Sequence, residues 1–460
     1  SMELEAKGEQ LPEEGLEVEI TGDLALDLAA GKLAVADLSI SGPQLHLTGA
    51  LSIAGLGEKS RIEGSLGLQE TNLKTLLALA GVELETADPE ALTRVSFQLQ
   101  MAQEGESLKI EPLRIKVDDT RIEGMVTLAL HEPVLQARLK LDSIDLDRYR
   151  PLESEQAQVR QTVGDGGKPP PAEKVDFEPL RRLDANIVVE AERVEVSGLK
   201  LAKAKLTLKA KKGVISLDPV TALLYNGRLK ASSSLDVREK QPSVQVRSEL
   251  VGIRVGPLLA DLTGEERLTG TGKVSFSLRT RGMKEDAVRR NLDGDFSIDF
   301  RDGAYKGFNL AQAIRQAEAA IRGTTITEDE PRQTDFAELR ASGIIRKGVL
   351  SNRDLYLASP VLRVRGKGEV DLDAEKVDYR LTAKVVGTLI GQGGKPMDRL
   401  KGLVIPVQLK GDLGDPSFRI DPEALAKAVA GKKLEEQKGK VIEKIEEKLG
   451  PGLLKGLLGK

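Results

Sequence analysis

Cysteine and tryptophan are absent from the 460 residues, and Phe and Tyr together make up only 3%. Missing thiols exclude disulfides and thiolate metal sites without placing the chain in a compartment. The scarcity of rings removes the usual heavy contributors to a large core, so the apolar faces are built from Leu, Val, Ile and Ala. Histidine is limited to His46 and His131. They sit in LHL and ALHEP and read as polar-face residues of strands; with no Cys beside them, His-based triads and zinc sites are nearly excluded. No charge of one sign dominates: 68 basic against 72 acidic residues leave a formal net charge of -4. That balance implies no long-range attraction to nucleic acid. No stretch approaches the length of a membrane-spanning helix, and Ser1-Met2-Glu3 opens without a basic n-region or an apolar h-region. Ser1 reads as a cloning scar, so the chain is expected to be a soluble piece of something larger with any anchor removed.

What is present is alternation. From Gly22 to about Arg150 short segments such as DLALDL, KLAVADLSISG, RIEGSLGL, RIEGMVTLAL and LQARLKLDSIDLDRY are divided by Gly, Pro and charged turns, the mark of an all-β architecture. One helix interrupts them, with Asn72 as N-cap, Leu73, Leu76, Leu77 and Ala80 as a stripe, and Gly81 at C′. Residues 152–176 lose the alternation and gather Gly164, Gly166, Gly167 and Pro169 to Pro171, which reads as a linker or loop. Strands resume at Ala185 and continue to about Ile420. GPLLADL, KEDAVRRNL and a helix opening at Asn309 break them; in the last, Asn309 caps, Gln312 reaches back, Leu310, Ile314, Ala317 and Ile321 line one face, and Gly323 ends it. After Asp421-Pro422 the chain becomes a charged amphipathic helix with Leu434, Val441, Ile445 and Leu449 as a narrow stripe. Beyond Pro451, Leu453, Leu454, Leu457 and Leu458 form an apolar cluster suited to capping a groove, a partner or a membrane interface. The reading gives segments 1–151, 152–176, 177–421 and 422–460.

Repetition is visible without a fixed period. TRIEGMVTL at 120–128, NGRLKASSSLDV at 226–237 and RVRGKGEVDLD at 363–373 each place a Gly or small polar turn before a rising strand, as in a sheet extended by one unit. About two dozen candidate strands at about 4.8 Å each would run on the order of 100 Å. In one of them Val274, Phe276 and Leu278 share a face; in another Phe296, Ile298 and Phe300 do the same. The few short helices cannot roof that length. A sheet curled into a trough or a second sheet packed on the first would cover the apolar side, and periodicity leaves both open. A lipid tail of about 16 carbons needs on the order of 13 kcal/mol of matching apolar surface, which an aliphatic channel offers without special residues.

Other chemistries find little support. Asp118-Asp119 cannot act as a carboxylate pair on a strand, where neighbours point to opposite faces, and reads as a turn. Gly270-Thr271-Gly272-Lys273-Val274 lacks the earlier Gly and the following Ser or Thr of a phosphate loop; its glycines read as a tight hairpin entry. Lys200, Lys203, Lys205, Lys209, Lys211 and Lys212 read as a solvated strand face, with contact to anionic lipid headgroups as the alternative; no aromatic lies between Phe177 and Tyr225 to stack a base.

The stretch from Val251 to Ala430 resembles the C-terminal region of the AsmA family. The resemblance is carried in order by VGPLLADLTG, LTGTGKVSFSLRTRG, NLDGDFSIDFRDGAYKGFNLAQAIR, the run from TDFAELRASG to DYRLTAKV, and IPVQLKGDLGDPSFRID. LKLDSIDLDRYRP and the linker after it resemble the middle of these proteins, and residues 1–130 resemble them in style. The resemblance implies a Gram-negative envelope protein: a periplasmic body on an N-terminal inner-membrane anchor, shaped as an elongated taco-like β-groove, that moves phospholipid toward the outer membrane or keeps outer-membrane assembly in balance. The expected fold is therefore mostly β, an elongated curled antiparallel sheet with a few short helices and the C-terminal amphipathic helix. The expected function is non-enzymatic carriage of acyl chains, without cofactor or metal. Val274, Phe276, Leu278, Phe296, Ile298, Phe300, Leu362, Val364, Val370 and Leu372 are expected to face the lipid. The alternative is an envelope scaffold that binds protein partners and holds no lipid.

Overall fold

The computed structural model describes residues 2–6, 16–55, 61–79, 81–130, 134–151, 176–325, 331–386, 400–421, 423–432, 437, 438 and 440. His131, nearly all of 152–176, and Leu434, Val441, Ile445, Leu449, Leu453, Leu454, Leu457 and Leu458 lie outside them. The chain divides into two compact units, Ser1–Val246 and Arg247–Lys460.

The first unit holds strands β1 (Met2–Ala6), β2 (Leu16–Asp27), β3 (Lys32–Gly42), β4 (Leu45–Ala54), β5 (Arg61–Thr71), β6 (Val95–Glu104), β7 (Ser107–Val117), β8 (Thr120–Ala129), β9 (Val134–Asp145), β10 (Asp184–Val196), β11 (Leu199–Lys211), β12 (Val214–Leu224) and β13 (Gly227–Asp236). Consecutive strands pair antiparallel except β9 and β10, which run parallel from Val134↔Asp184 to Asp145↔Glu195. The strands on either side of segment 152–176 therefore belong to one sheet, and a parallel neighbour requires a crossover connection of that order of length. Helix α1 (Leu73–Leu79) is capped by Asn72, whose Oδ1 accepts from Thr75 N at 3.1 Å, and Gly81 follows with φ 76°.

The unit boundary falls within β14 (Ser243–Arg254). The second unit continues with β15 (Thr271–Arg281), β16 (Asp293–Lys306), β17 (Gln333–Arg346), β18 (Val349–Ala358), β19 (Leu362–Asp371), β20 (Lys376–Val385), β21 (Val404–Asp412) and β22 (Pro416–Ile420). From β15 to β22 each strand pairs antiparallel with the next. The helices are α2 (Glu178–Arg182) in the first unit and α3 (Val255–Thr263), α4 (Glu285–Arg290) and α5 (Leu310–Ile321) in the second, with a further helix over 423–432. The fold is thus mostly β, antiparallel with one parallel exception, not closed into a barrel, with few short helices.

One irregularity recurs. Between Val35 and Leu38, Ile110 and Leu113, Leu217 and Val220, and Asn352 and Leu355, a strand advances three residues while the next strand advances two. The two residues that there oppose a single one on the next strand, Ala36-Asp37, Glu111-Pro112, Asp218-Pro219 and Arg353-Asp354, are exposed. Each is a β-bulge that bends its strand and raises the local twist. Proline is tolerated at two of them because a bulge residue owes no ladder hydrogen bond. Opposite the second edge of each bulge stands a small residue, Gly49, Gly124, Ala231 or Gly366. Toward the following strand the approach is close: a Cβ on Gly124 would meet the Arg138 carbonyl oxygen of β9 at 2.1 Å.

Candidate functional site

Register turns the alternation of single strands into continuous apolar rows. In the first unit one row runs Val35, Leu51, Gly64, Met101, Ile110, Val126, Ala137, Ile187, Leu208, Leu217, each the direct partner of the next. A second runs Ile40, Leu47, Leu68, Phe97, Ile115, Ile122, Leu141, Ala191. No polar residue enters either row. Cross-strand contacts between such side chains stabilise the sheet, yet almost all remain only half-buried. The fully buried hydrophobic residues of this unit are mostly alanines; Leu113, Leu224 and Val237 are the larger ones among the described residues. α1 contributes no buried side chain. The apolar face of this unit is therefore lined but not filled.

The second unit shows both conditions on one face. Phe300, Leu339, Leu357, Val364, Ala383 and Ile405 form a row of direct partners, and α5 with helix 423–432 lies on it through Leu310, Ile314 and Leu425. Asn309 fixes the start of α5, its Oδ1 accepting from Gln312 N at 2.9 Å, and Gly323 follows the helix at φ 71°. Ile321, expected on the inner stripe, is 41% exposed because the helix has run past the core it covers. α3 closes a second cluster, Val255, Phe300, Phe336 and Leu339.

The ten expected lipid-facing residues separate accordingly. Phe300, Leu362 and Val364 are enclosed at 2%, 0% and 3% exposure by the chain's own side chains. Val274 and Ile298, direct partners, stand at the margin of the α3 cluster. Phe276 and Phe296 are direct partners farther along the strands, half-buried and outside both clusters, as are Leu278 and Val370; Leu372 lies in the turn after β19. Between them sits a polar pair that the pattern did not disclose. The Tyr379 hydroxyl donates to Asn352 Oδ1 at 2.6 Å, and buried Asn352 donates to the Ser342 carbonyl at 2.5 Å and Asp354 Oδ1 at 2.6 Å. Burial, with the nearby Asp354 charge, pushes the Tyr379 phenol up to about 12.

The rival features take structural roles. Asp118-Asp119 is the β7–β8 turn, and buried Asp118 accepts from Leu92 N, Arg94 N and the Tyr149 hydroxyl at 2.8, 3.2 and 2.9 Å. Lys273 begins no phosphate loop but pairs with Glu249 from inside β15. Lys205 pairs with Glu190 at 2.7 Å on an exposed strand face. His46 stands opposite Ser41, on the other side of β4 from Leu45 and Leu47. Among the described residues no group of three or more His, Asp or Glu is placed to hold a metal ion, and no helix is long and apolar enough to cross a membrane.

Comparison with known proteins bears on what such a surface is for. Protein AsmA of Escherichia coli (strain K12) is 23% identical over 341 residues, covering 72% of this chain and 55% of that protein. The chain thus spans about half the length of the curated relative it matches. No solved structure matches. The AsmA family itself matches residues 15–355, reaching into the N-terminal strands where the resemblance had been one of style and stopping within β18. A match over that much of the sequence settles its kinship: the chain belongs to the AsmA family.

Proposed function

We propose that this chain is a non-enzymatic carrier whose apolar rows shield the acyl chains of phospholipid in transit between the inner and outer membranes. Membership of the AsmA family suggests an envelope-associated function; the finer reading places the body in the periplasm, held to the inner membrane by a segment outside this sequence. The single observation that carries it is the unfilled apolar face of the first unit, ten strands wide in one row without a polar interruption. Leaving aliphatic side chains half in water forgoes about 1 kcal/mol each. Acyl methylenes laid along them recover about 0.8 kcal/mol apiece, and rows of Leu, Val and Ile ask nothing of the headgroup.

Lipid extraction and native mass spectrometry of the purified chain test this. Phospholipid is expected to co-purify, and Met101→Asp or Phe276→Asp is expected to expel it, because a carboxylate on that face has no partner. A wild-type chain that carries no lipid and takes none from vesicles would overturn the proposal and favour an envelope scaffold for protein partners.

A further inference from the structure

On the face of the second unit opposite the apolar rows, strands β18 to β22 form a concavity of about 730 Å³. Five cations line it: Arg353, Arg365, Lys367, Arg380 and Arg419. Register explains their convergence. Lys367 is the direct partner of Arg380, Arg380 of Gln408, and Gln408 of Arg419, while Arg365 stands two residues before Lys367 and opposite Thr382. Partners on adjacent strands are about 5 Å apart at Cα, so the like charges of Lys367 and Arg380 face one another, whereas several other exposed pairs set opposite charges together. Lys205 meets Glu190, Lys376 meets Asp412 and Lys410 meets Asp378, at 2.7, 2.5 and 3.0 Å. Like charges directly opposite destabilise a sheet.

Neighbouring carboxylates do not relieve the excess. Asp354 accepts from Ser342 and Asn352, Glu369 from Ser351, and Asp378 is paired with Lys410. Asp421, the one acidic residue on the cavity wall, accepts from Glu423 N and Ala424 N at 2.9 and 3.2 Å. Among the described residues none of the five cations forms an ion pair.

We propose that this concavity binds a compact polyanion carrying clustered phosphate groups. Four of the five cations are arginines, whose forked donors match phosphate oxygens two at a time. The volume is that of a small-ligand site. The wall carries no aromatic side chain, so it lacks the aromatic anchors that protein interfaces favour and the stacking platform that single-stranded nucleic acid uses. The site belongs to the second unit, its cations on the face away from that unit's own apolar row, and it does not depend on the lipid reading.

The test is calorimetric titration of the full chain with inorganic triphosphate, together with flotation on phosphatidylcholine vesicles with and without phosphatidylglycerol. Saturable triphosphate binding that weakens with added salt is expected. Arg365→Gln/Arg380→Gln is expected to weaken it by at least about tenfold, Lys367→Gln/Arg419→Gln likewise, and Lys205→Gln and Phe276→Asp to leave it unchanged. Both double variants alter exposed side chains, and circular dichroism checks that they fold. Flotation only with phosphatidylglycerol, lost in the same variants, supports the site with a lipid headgroup as the phosphate source. Absence of binding to either probe, binding indifferent to both double variants, or polyglutamate binding as tightly as triphosphate would overturn it.

Discussion

Tyr149 and Tyr379 are half-buried phenols held neutral by their surroundings. Burial pushes Tyr149 up to about 12, and its hydrogen bond to the Asp118 carboxylate acts in the same direction. An acid whose folded value lies above its unfolded value of 10 favours folding below pH 10, and that contribution is lost as pH rises through 12. Thermal melts are therefore expected to lose stability between pH 10 and 12, with the loss reduced in Tyr149→Phe and Tyr379→Phe; an unchanged pH profile in both variants would count against this origin. At neutral pH Asp118→Ala strands three donors and is expected to cost about 3 kcal/mol in urea denaturation, against about 1 kcal/mol for Tyr149→Phe. The sequence shows Asp118-Asp119 as a turn. It does not show what the turn holds, because Leu92 and Tyr149 lie 26 and 31 positions away and only the sheet brings them together.

Among the elements, α5 and the bulged strands show what was and was not legible. Asn309, the apolar spacing behind it and Gly323 mark α5 in the sequence, and the Asn309 cap and the left-handed Gly323 form as read. What the helix covers depends on strands 50 to 100 residues later, so the burial of Phe300, Leu362 and Val364 beneath helices could not be read from alternation. The bulges were partly legible: apolar residues three apart in VADL, IEPL and LDPV interrupt a period of two, and mid-strand prolines underline two of them. Their partners were not, since a glycine reveals its role only opposite a bulge. Packing and capping set the expected stability changes. Ile314→Ala, at 0% exposure, is expected to cost about 2 to 5 kcal/mol, and Asn309→Ala about 1 kcal/mol. Gly124→Val, driven into the Arg138 carbonyl, is expected to destabilise the first unit by several times the cost of Gly67→Val, where a new Cβ meets nothing closer than 3.7 Å, as urea midpoints of the two variants would show.

For the molecule as a whole the deciding contrast is between a face that the chain fills itself and one that it leaves lined. Both clusters of buried apolar side chains among the described residues belong to the second unit, where α3, α5 and helix 423–432 supply the cover. The first unit offers rows of the same chemistry with no such cover, and its β2 holds Leu24 and Leu26 at 70% and 56% exposure. If hydrocarbon guests complete this surface, contact with lipid should follow the rows and not hydrophobicity in general. A photoreactive phenylalanine at Leu51, Met101 or Ile187 is then expected to capture phospholipid in the intact chain. The same probe at Thr48 or Gln98, on the polar side, is expected to capture none. Phe276 and Phe296, beyond the clusters, should label with the first group, whereas Leu362 and Ile405, enclosed at 0% exposure, should not. Equal labelling of lined and enclosed positions would mean that lipid reaches the chain only by unfolding it, and a first unit that never labels would leave its apolar rows to a protein partner.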